Sequence, residues 1–430
     1  MKKMLLGSTV LIGLTSLTLH AQDVNFSGYL RAGVGENVEG GAATTYGNGA
    51  TGHPVGRLGD EADTYVEIGL GSTVWEDGDQ SFQIQTLLAG GTTEGDLDLQ
   101  GNSWQGIGGE GPWGGQRASF REVYAAADLG GYGIWAGKRY HQRKDIHILD
   151  FYYVNDSGYG IGIDEIQTSY GKWNLAWIQN AEDWQDDYSG GANGDDWRRI
   201  NKLDLRLQDI KVSEKGSLEL IAIYGLTTLS DEQKANTKGD SDNDGLFLTI
   251  EHTQGGLPGG GFNKAIFQYG DGGFATIGAF QNHAGEVMDA VEGSGWRLID
   301  WGVIESGRWN LGWSTMYAQR DITETIPDTN GHLAGENEFY NAVIRPSWEW
   351  NTVMSTVCEL GYANNKKEGG DWEDLSKITL AQQWQAGTSF WSRPAIRVYV
   401  SHYMGDAVKL RDAEGVDQQT MFGAQVEAWW

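Results

Sequence analysis

A chain of 430 residues with 31 basic and 59 acidic side chains carries a formal charge of −28, which repels phosphate backbones and argues against nucleic acid as a partner. Its 64 glycines are about twice the usual share of roughly 7%. With 19 Trp, 18 Tyr, 12 Phe and a hydrophobic fraction of only 39%, it suits a secreted glycan-handling β-protein or a barrel with a wet interior. The aromatics run its full length, which disfavours a disordered acidic chain, and a lone Cys358 excludes an intrachain disulfide.

Met1-Lys2-Lys3 is a positive start, followed by an apolar run from Met4 to Leu19 that Gly7, Ser8, Gly13, Thr15 and Ser16 interrupt. Ending on the small Ala21, it predicts a secretory signal peptide over residues 1–21 and a single domain over 22–430. Loss of Lys2 and Lys3 takes the charge from −28 to −30. No later run of 18 apolar residues is present, so no transmembrane helix is expected.

From Val24 the pattern has a period of two. Val24, Phe26 and Leu30 oppose Asn25, Tyr29 and Arg31; Val66, Ile68 and Leu70 oppose Tyr65 and Glu67. Alternating or apolar runs follow near 81–89, 119–128, 131–140, 158–180, 200–208, 216–226, 244–253, 263–281, 295–318, 337–363, 375–386 and 391–404. Polar, glycine-rich connections separate them at 34–61, 91–118, 182–199, 228–243, 320–336 and 405–419. Strands of about ten residues joined alternately by tight turns and longer loops predict about 18 antiparallel strands in one all-β transmembrane barrel.

The last nine residues show the same alternation. Phe422, Ala424, Val426, Ala428 and Trp430 form an apolar face; Gly423, Gln425, Glu427 and Trp429 form a mixed polar one. On a membrane barrel the first face meets lipid and the second the lumen. In Trp391–Tyr399 the parity of Trp391, Arg393, Arg397 and Tyr399 must be lumenal, because arginine facing mid-bilayer lipid costs roughly 2–4 kcal/mol. Pro394 removes a ladder donor and marks a strand end.

Residues 135–153, Trp-Ala-Gly-Lys-Arg-Tyr-His-Gln-Arg-Lys-Asp-Ile-His-Ile-Leu-Asp-Phe-Tyr-Tyr, resemble the constriction-loop segment of the maltoporin family, the bacterial outer-membrane maltodextrin channels. The likeness continues through 378–387, 390–398 and the 422–430 tail. It implies an eighteen-stranded barrel with an inward-folded constriction loop, a homotrimer embedded in outer-membrane lipid, and passive diffusion of maltose and maltooligosaccharides without catalysis or a cofactor. It also implies roles for residues. An aromatic track on which sugars slide maps onto Tyr29, Tyr65, Phe262, Trp391 and Trp429, with Trp104 contributed by a neighbouring subunit and Trp113 as the alternative in that loop. The polar groups of the channel map onto Arg31, Arg57, Glu67, Arg121, Arg143, Asp145, His147, Asp150 and Tyr152. Parity alone had placed Tyr29, Arg31, Tyr65, Glu67 and Trp429 on the non-lipid face. A pyranose has an apolar face for rings and a rim of hydroxyls for charged groups, so these residue types suit it.

Three departures from the family stand out. Ala62 replaces one cysteine of a first-loop pair and no partner exists, so that loop must be held in another way. The 405–419 loop is short, and Val154-Asn155 stands where Trp-Asp is expected.

Other motifs are weaker. Asp240-x-Asp242-x-Asp244-Gly245-x5-Glu251 fits an EF-hand loop, but Leu246–Thr253 reads as a strand, leaving only adventitious calcium at an acidic loop. His141, Asp145, His147 and Asp150 could suggest a metal, yet Lys138, Arg139, Arg143 and Lys144 crowd them, and a constriction whose Arg and Asp side chains pair with one another is the preferred reading. No carboxylate pair singles itself out for glycoside hydrolysis. The alternatives to a maltodextrin channel are a general or other-oligosaccharide porin and a secreted glycan-binding or glycan-cleaving β-protein.

Overall fold

A computed structural model describes residues 24–40, 43–47, 52–61, 63–92, 108–111, 114–183, 197–228, 244–282, 284–286, 288–289, 291–325, 334–411 and 415–430. The expected signal peptide, Trp104 and Trp113 lie outside them. The strands are β1 (Val24–Asn37), β2 (Thr64–Asp77), β3 (Gln80–Thr92), β4 (Gly108–Gly111), β5 (Gly114–Leu129) and β6 (Gly133–Ile146). Next come β7 (Phe151–Thr168), β8 (Gly171–Asp183), β9 (Trp197–Lys211), β10 (Gly216–Thr228), β11 (Asp244–Leu257), β12 (Gly261–Asp271) and β13 (Val291–Ser306). The last six are β14 (Trp309–Thr325), β15 (Gly335–Asn351), β16 (Met354–Lys367), β17 (Trp372–Gln385), β18 (Ala395–Met404) and β19 (Gln418–Trp429); among the described residues a short helix, α1 (Asp406–Arg411), precedes β19.

Every wall strand is antiparallel to the next, and β19 returns to β1 with Tyr29 opposite Trp429. The four-residue β4 pairs only with β5, while β3 pairs directly with β5, so the wall is a closed barrel of 18 strands. Closure leaves no free sheet edge, the condition for strands to cross hydrocarbon.

The polarity is inverted relative to a water-soluble protein. Ile68, Leu70, Ile84, Ile161, Leu298, Leu380, Val400 and Phe422 point outward and are exposed. The largest fully buried side chains include Arg206, Arg297, Lys202 and Lys377. An apolar core also sits inside the lumen. There Ile146, Ile148, Leu149, Phe151, Tyr153 and Val154 pack against Ile221, Ile223, Phe247 and Phe274.

Two strand expectations are corrected. The run 263–281 is not one strand: β12 stops at Asp271, and Gly272–Ile277 is a 3-10 turn that opens a segment folded against the inside of the wall. Gly270, Gly272 and Gly273 interrupt the run, and its apolar residues are buried by the interior core rather than by lipid. The run 391–404 begins as a strand only at Ala395, so Trp391 and Arg393 belong to a turn, as Pro394 had marked. The EF-hand reading also falls where it can be seen: Asp244–Leu257 is a strand, and the Glu251 carboxylate meets Lys144, Lys264 and Tyr153.

Leu380 faces outward mid-strand, opposite Cys358 and Val400. Leu380→Arg should destabilise the inserted barrel by roughly 2–4 kcal/mol in urea titrations of folding into lipid vesicles. An unchanged midpoint would mean this face does not meet hydrocarbon.

Candidate functional site

The constriction begins where β6 leaves the wall. Pairing between β5 and β6 ends at Val123–Lys138, next to Gly137, whose φ of 133° suits glycine and where a Cβ would collide with the Val123 carbonyl. Beyond it, β6 and β7 continue as a hairpin folded into the lumen, closed by a 3-10 turn at His147–Leu149. Asp150 caps the turn in the left-handed region, donating its N–H to the His147 carbonyl.

Two further segments fold inward. Asn282 accepts from the Tyr152 N–H, and the Ala284 carbonyl accepts from the Asn155 N–H, which ties the 272–289 segment to the hairpin. The first long loop docks at residues 52–61. Lys377 donates to the carbonyls of Gly56 and Leu58 (3.0 Å to the latter), Glu359 accepts from the Leu58 N–H (2.9 Å), and Gln425 from the Gly59 N–H (3.0 Å). The Val55 carbonyl lies so close to Gly361 that a Cβ there would overlap it. These wall-to-backbone bonds answer how the loop is held without a cysteine pair.

Two polar groups meet at the narrowing. In the first, Arg31 bonds Asp63 (2.7 Å), Glu61 (3.0 Å) and Asp150 (2.7 Å). Arg57 bonds Glu61 (2.6 Å), Glu427 (3.2 Å) and the Tyr29 hydroxyl (2.7 Å). Glu427 also takes Arg393 (2.7 Å) and Arg397 (3.2 Å). In the second, Arg121 donates to the Tyr140 hydroxyl (2.7 Å), and Tyr65 (2.7 Å) and Tyr140 (3.3 Å) donate to Glu67. Arg143 lies over the rings of Tyr140 (3.3 Å) and Tyr152 (4.7 Å). Asp145 pairs in register with Tyr152 and is exposed to the lumen.

The polar residues named from sequence thus divide in two. Arg31, Arg57 and His147 are 7%, 4% and 8% exposed and engaged with partners, so they shape the pore. Glu67, Arg121, Arg143, Asp145 and Tyr152 keep open surface, and the half-buried Asp150 joins the first set through its bond to Arg31. The charges of the constriction segment pair with residues outside it: Arg139 with Asp164, Lys144 with Glu219 and Glu251, and Asp150 with Arg31. Hairpin charges find partners on wall strands because adjacent residues of an extended chain point to opposite faces.

Tyr29 and Tyr65 lie 6.1 Å apart between ring centres. His147 packs on Trp429 (5.5 Å) and Trp391 (5.4 Å), and Phe390 abuts Trp391 (5.0 Å). Arg393 covers one face of Trp429 at 4.2 Å. Four expected track residues, Tyr65, Tyr29, Trp429 and Trp391, therefore run down one side of the lumen. Phe262 stands on β12, edge-on to Trp301 (4.8 Å). Sequence reasoning missed Tyr140, Glu61 and Asp63 as parts of this constellation, whereas Arg393 had been placed on the lumenal parity. Glu427 had a signal, sharing the lumenal parity of Trp429.

Burial pushes the His147 imidazole well below its usual range, and Arg57 and Arg393 reinforce this against the opposing pull of Glu427. Burial alone would raise the Asp150 carboxyl, but Arg57 and Arg31 outweigh it and hold Asp150 well below the usual carboxylate range. Among the described residues, His53, Glu61 and Asp150 bring ligand atoms within 4.8 Å of one another. Arg31 and Arg57 already supply the positive charge a cation would bring, and His53 Nδ1 faces Asp60 at 2.7 Å, so this donor set does not fit a metal.

Comparison with known proteins gives a match to the LamB porin family model over residues 24–430. The chain belongs to the LamB porin family. This porin is an outer-membrane channel of bacteria. Solved structures with similar outlines include Acinetobacter baumannii OccAB1, 10% identical with 95% of this chain and 96% of that one covered at a TM-score of 0.49. Pseudomonas aeruginosa OccK1 (OpdK) is 11% identical with 95% and 99% covered at 0.48, and P. aeruginosa OccK8 (OprE) 9% identical with 95% and 98% covered at 0.49. The family assignment rests on the family model.

Two predictions follow from the loop anchor and the buried charges. Lys377→Met leaves the Glu359 carboxylate with one cation fewer, removes the Lys377 bond to the Gly56 carbonyl and leaves the Leu58 carbonyl to the Thr379 hydroxyl. Single-channel conductance should rise and become noisier; an unchanged trace would mean the loop is held elsewhere. The second concerns acid. Both folded-state values lie below their unfolded ones, so each group's stabilisation is present at high pH and is lost on acidification. His147 begins to act below about pH 6.5 and Asp150 below about pH 4. Heat-unfolding midpoints of detergent-solubilised His147→Gln should therefore fall less than the parent's between pH 7 and 5, and those of Asp150→Asn less below pH 4. Parallel curves would refute the assignment.

Proposed function

We propose that this porin is a homotrimeric, sugar-selective channel for maltose and maltodextrins, which diffuse down their gradient without covalent chemistry. One observation carries the reading: the line of Tyr65, Tyr29, Trp429 and Trp391 beside the open Arg121, Arg143, Glu67 and Tyr152. Glucose rings present an apolar C–H face to such a line while their hydroxyls meet the charged rim. Burying roughly 60–80 Å² of sugar per ring is worth on the order of 1.5–2 kcal/mol at ~25 cal/mol/Å². Each well-desolvated hydrogen bond to a charged group adds about 1.5–3 kcal/mol, and less in a wet pore. Several weak sites in series let the ligand enter and still leave. Arg393 occupies one face of Trp429, so the sugar takes the other. Trp104 of a neighbouring subunit extends the line in the trimer.

The test is ion conductance of the purified porin in a planar bilayer during maltotriose titration. The current should be blocked saturably, and Trp429→Ala and Tyr152→Ala should each raise the half-blocking concentration by about tenfold, which corresponds to about 1.4 kcal/mol. Open channels that maltotriose leaves unblocked would keep the porin and remove its sugar selectivity.

A further inference from the structure

Of the four rings that line one side of the lumen, Tyr29, Tyr65 and Trp429 stand on the paired strands β1, β2 and β19, where the ladder fixes their backbones. Trp391 does not. It lies outside the ladder, in the connection 386–394 between β17 and β18 at the short-turn end of the barrel. The β13–β14 and β15–β16 connections at that end are two residues long, and this one is nine. A ring carried on a loop is held less firmly than one on a strand unless a supporting shell fixes it.

The support comes from across the wall. Glu305 stands on the lumenal parity of β13, four strands from β17. One of its carboxylate oxygens accepts from both the Ser389 hydroxyl (2.7 Å) and the Phe390 N–H (2.9 Å). Ser389 Oγ in turn accepts from the Trp391 N–H (3.2 Å), as a hydroxyl can while it donates. Asn310 on β14 donates to the Thr388 carbonyl (2.8 Å), and Glu349 on β15 accepts from the same amide group (3.1 Å). On the other flank of the ring, Arg393 donates to the carbonyls of Phe390 (3.2 Å) and Ser392 (3.0 Å). Phe390, which abuts Trp391, fits where Gly312 lacks a side chain: a Cβ there would come within 2.9 Å of the Phe390 ring.

Glu305 differs from the carboxylates of the constriction. Glu61, Asp63, Asp150 and Glu427 each meet an arginine. Among the described residues Glu305 forms no ion pair; its bonds go to a hydroxyl and a backbone N–H of the connection. It therefore balances no charge. It ties a rigid wall strand to the one track ring that the ladder leaves unfixed.

We propose that Glu305 is a positioning residue for sugar passage: through Ser389 it fixes the Trp391 ring in line with Trp429, and so sets how well that end of the track holds an oligosaccharide. The proposal rests on the maltodextrin reading and adds to it a residue that acts through the connection, not on the sugar.

The experiment titrates maltotriose block of the full-length porin in planar bilayers, for the parent, Glu305→Leu, Trp391→Ala and the double variant. Glu305→Leu should raise the half-blocking concentration about fivefold, short of the roughly tenfold or more that one ring's contact is worth. Added to Trp391→Ala it should change that concentration by less than about twofold, because its effect runs through the ring. A merely structural role would act equally in both backgrounds. Glu305→Gln keeps an acceptor oxygen in the same place and should stay within about twofold of the parent. If Glu305→Leu does not assemble, Ser389→Ala cuts the same link at its middle and carries the same comparison, with an expected rise of about threefold. An effect of equal size with and without Trp391, an unmoved half-blocking concentration in Glu305→Leu, or a Glu305→Gln no better than Glu305→Leu would each overturn the proposal. A parent channel that maltotriose never blocks would instead overturn the sugar reading itself.

Discussion

A bilayer offers the backbone no hydrogen-bond partner, and this constraint governs the rest of the molecule. The ladder has to close, and it does so by laying β1 on β19 with Tyr29 opposite Trp429. Closure fixes parity for every strand at once. Once Ile68 and Leu70 face lipid, Tyr65 and Glu67 can only face the lumen. The same register that satisfies the backbone thus delivers rings and charges to the channel, and a one-residue slip would send Arg31 and Glu427 into hydrocarbon.

The closed wall alone would enclose a wide water-filled bore. The three inward segments narrow it, and each is held by a different chemistry. The constriction hairpin is seated on an apolar core around Phe151 and Ile148. The first loop is held by its backbone: its carbonyls accept from Lys377, and its N–H groups donate to the Glu359 and Gln425 side chains. The 272–289 segment uses both means: Phe274 and Ile277 in the core, and polar bonds to Tyr152 and Asn155. Polar anchoring is workable here because the buried partners are paired, whereas an unpaired buried charge would be expensive.

This division explains what could be read from the sequence. Period-two alternation is local, so the strands, the barrel and the lumenal placement of Tyr29, Arg31, Tyr65, Glu67 and Trp429 were legible from residues alone. Residues 52–61 have no period, and nothing in His53-Pro54-Val55-Gly56-Arg57 announces that Arg57 will meet Glu427 some 370 positions away. The resemblance to a known family supplied Arg57, not the pattern. The 263–281 run misled because periodicity records burial, not what does the burying. Phe274 and Ile277 are as hidden as any strand residue, inside the lumen rather than against lipid. Tyr140 was missed for a related reason: beyond Gly137 the hairpin leaves the wall, and the inward or outward sense read from the lower strand no longer applies.

The arrangement of charge also bears on what kind of channel this is. A pore built for ions would keep one sign unopposed along its axis, to draw counter-ions in. Here the named constriction cations are matched by carboxylates or stacked on rings: Arg31 and Arg57 on Glu61, Arg393 and Arg397 on Glu427, Arg143 between Tyr140 and Tyr152. Paired charges exert little field at a distance but remain strong hydrogen-bonding groups at contact. On the maltodextrin reading proposed above, such a lining would favour a solute that brings its own donors and acceptors within reach over a passing ion. It also stays rigid, since each guanidinium is fixed by its partner before the solute arrives and loses little freedom on binding. Rigid, neutral and hydrogen-bonding is the combination that lets a polar, uncharged solute shed part of its hydration shell at modest cost and recover it on the other side.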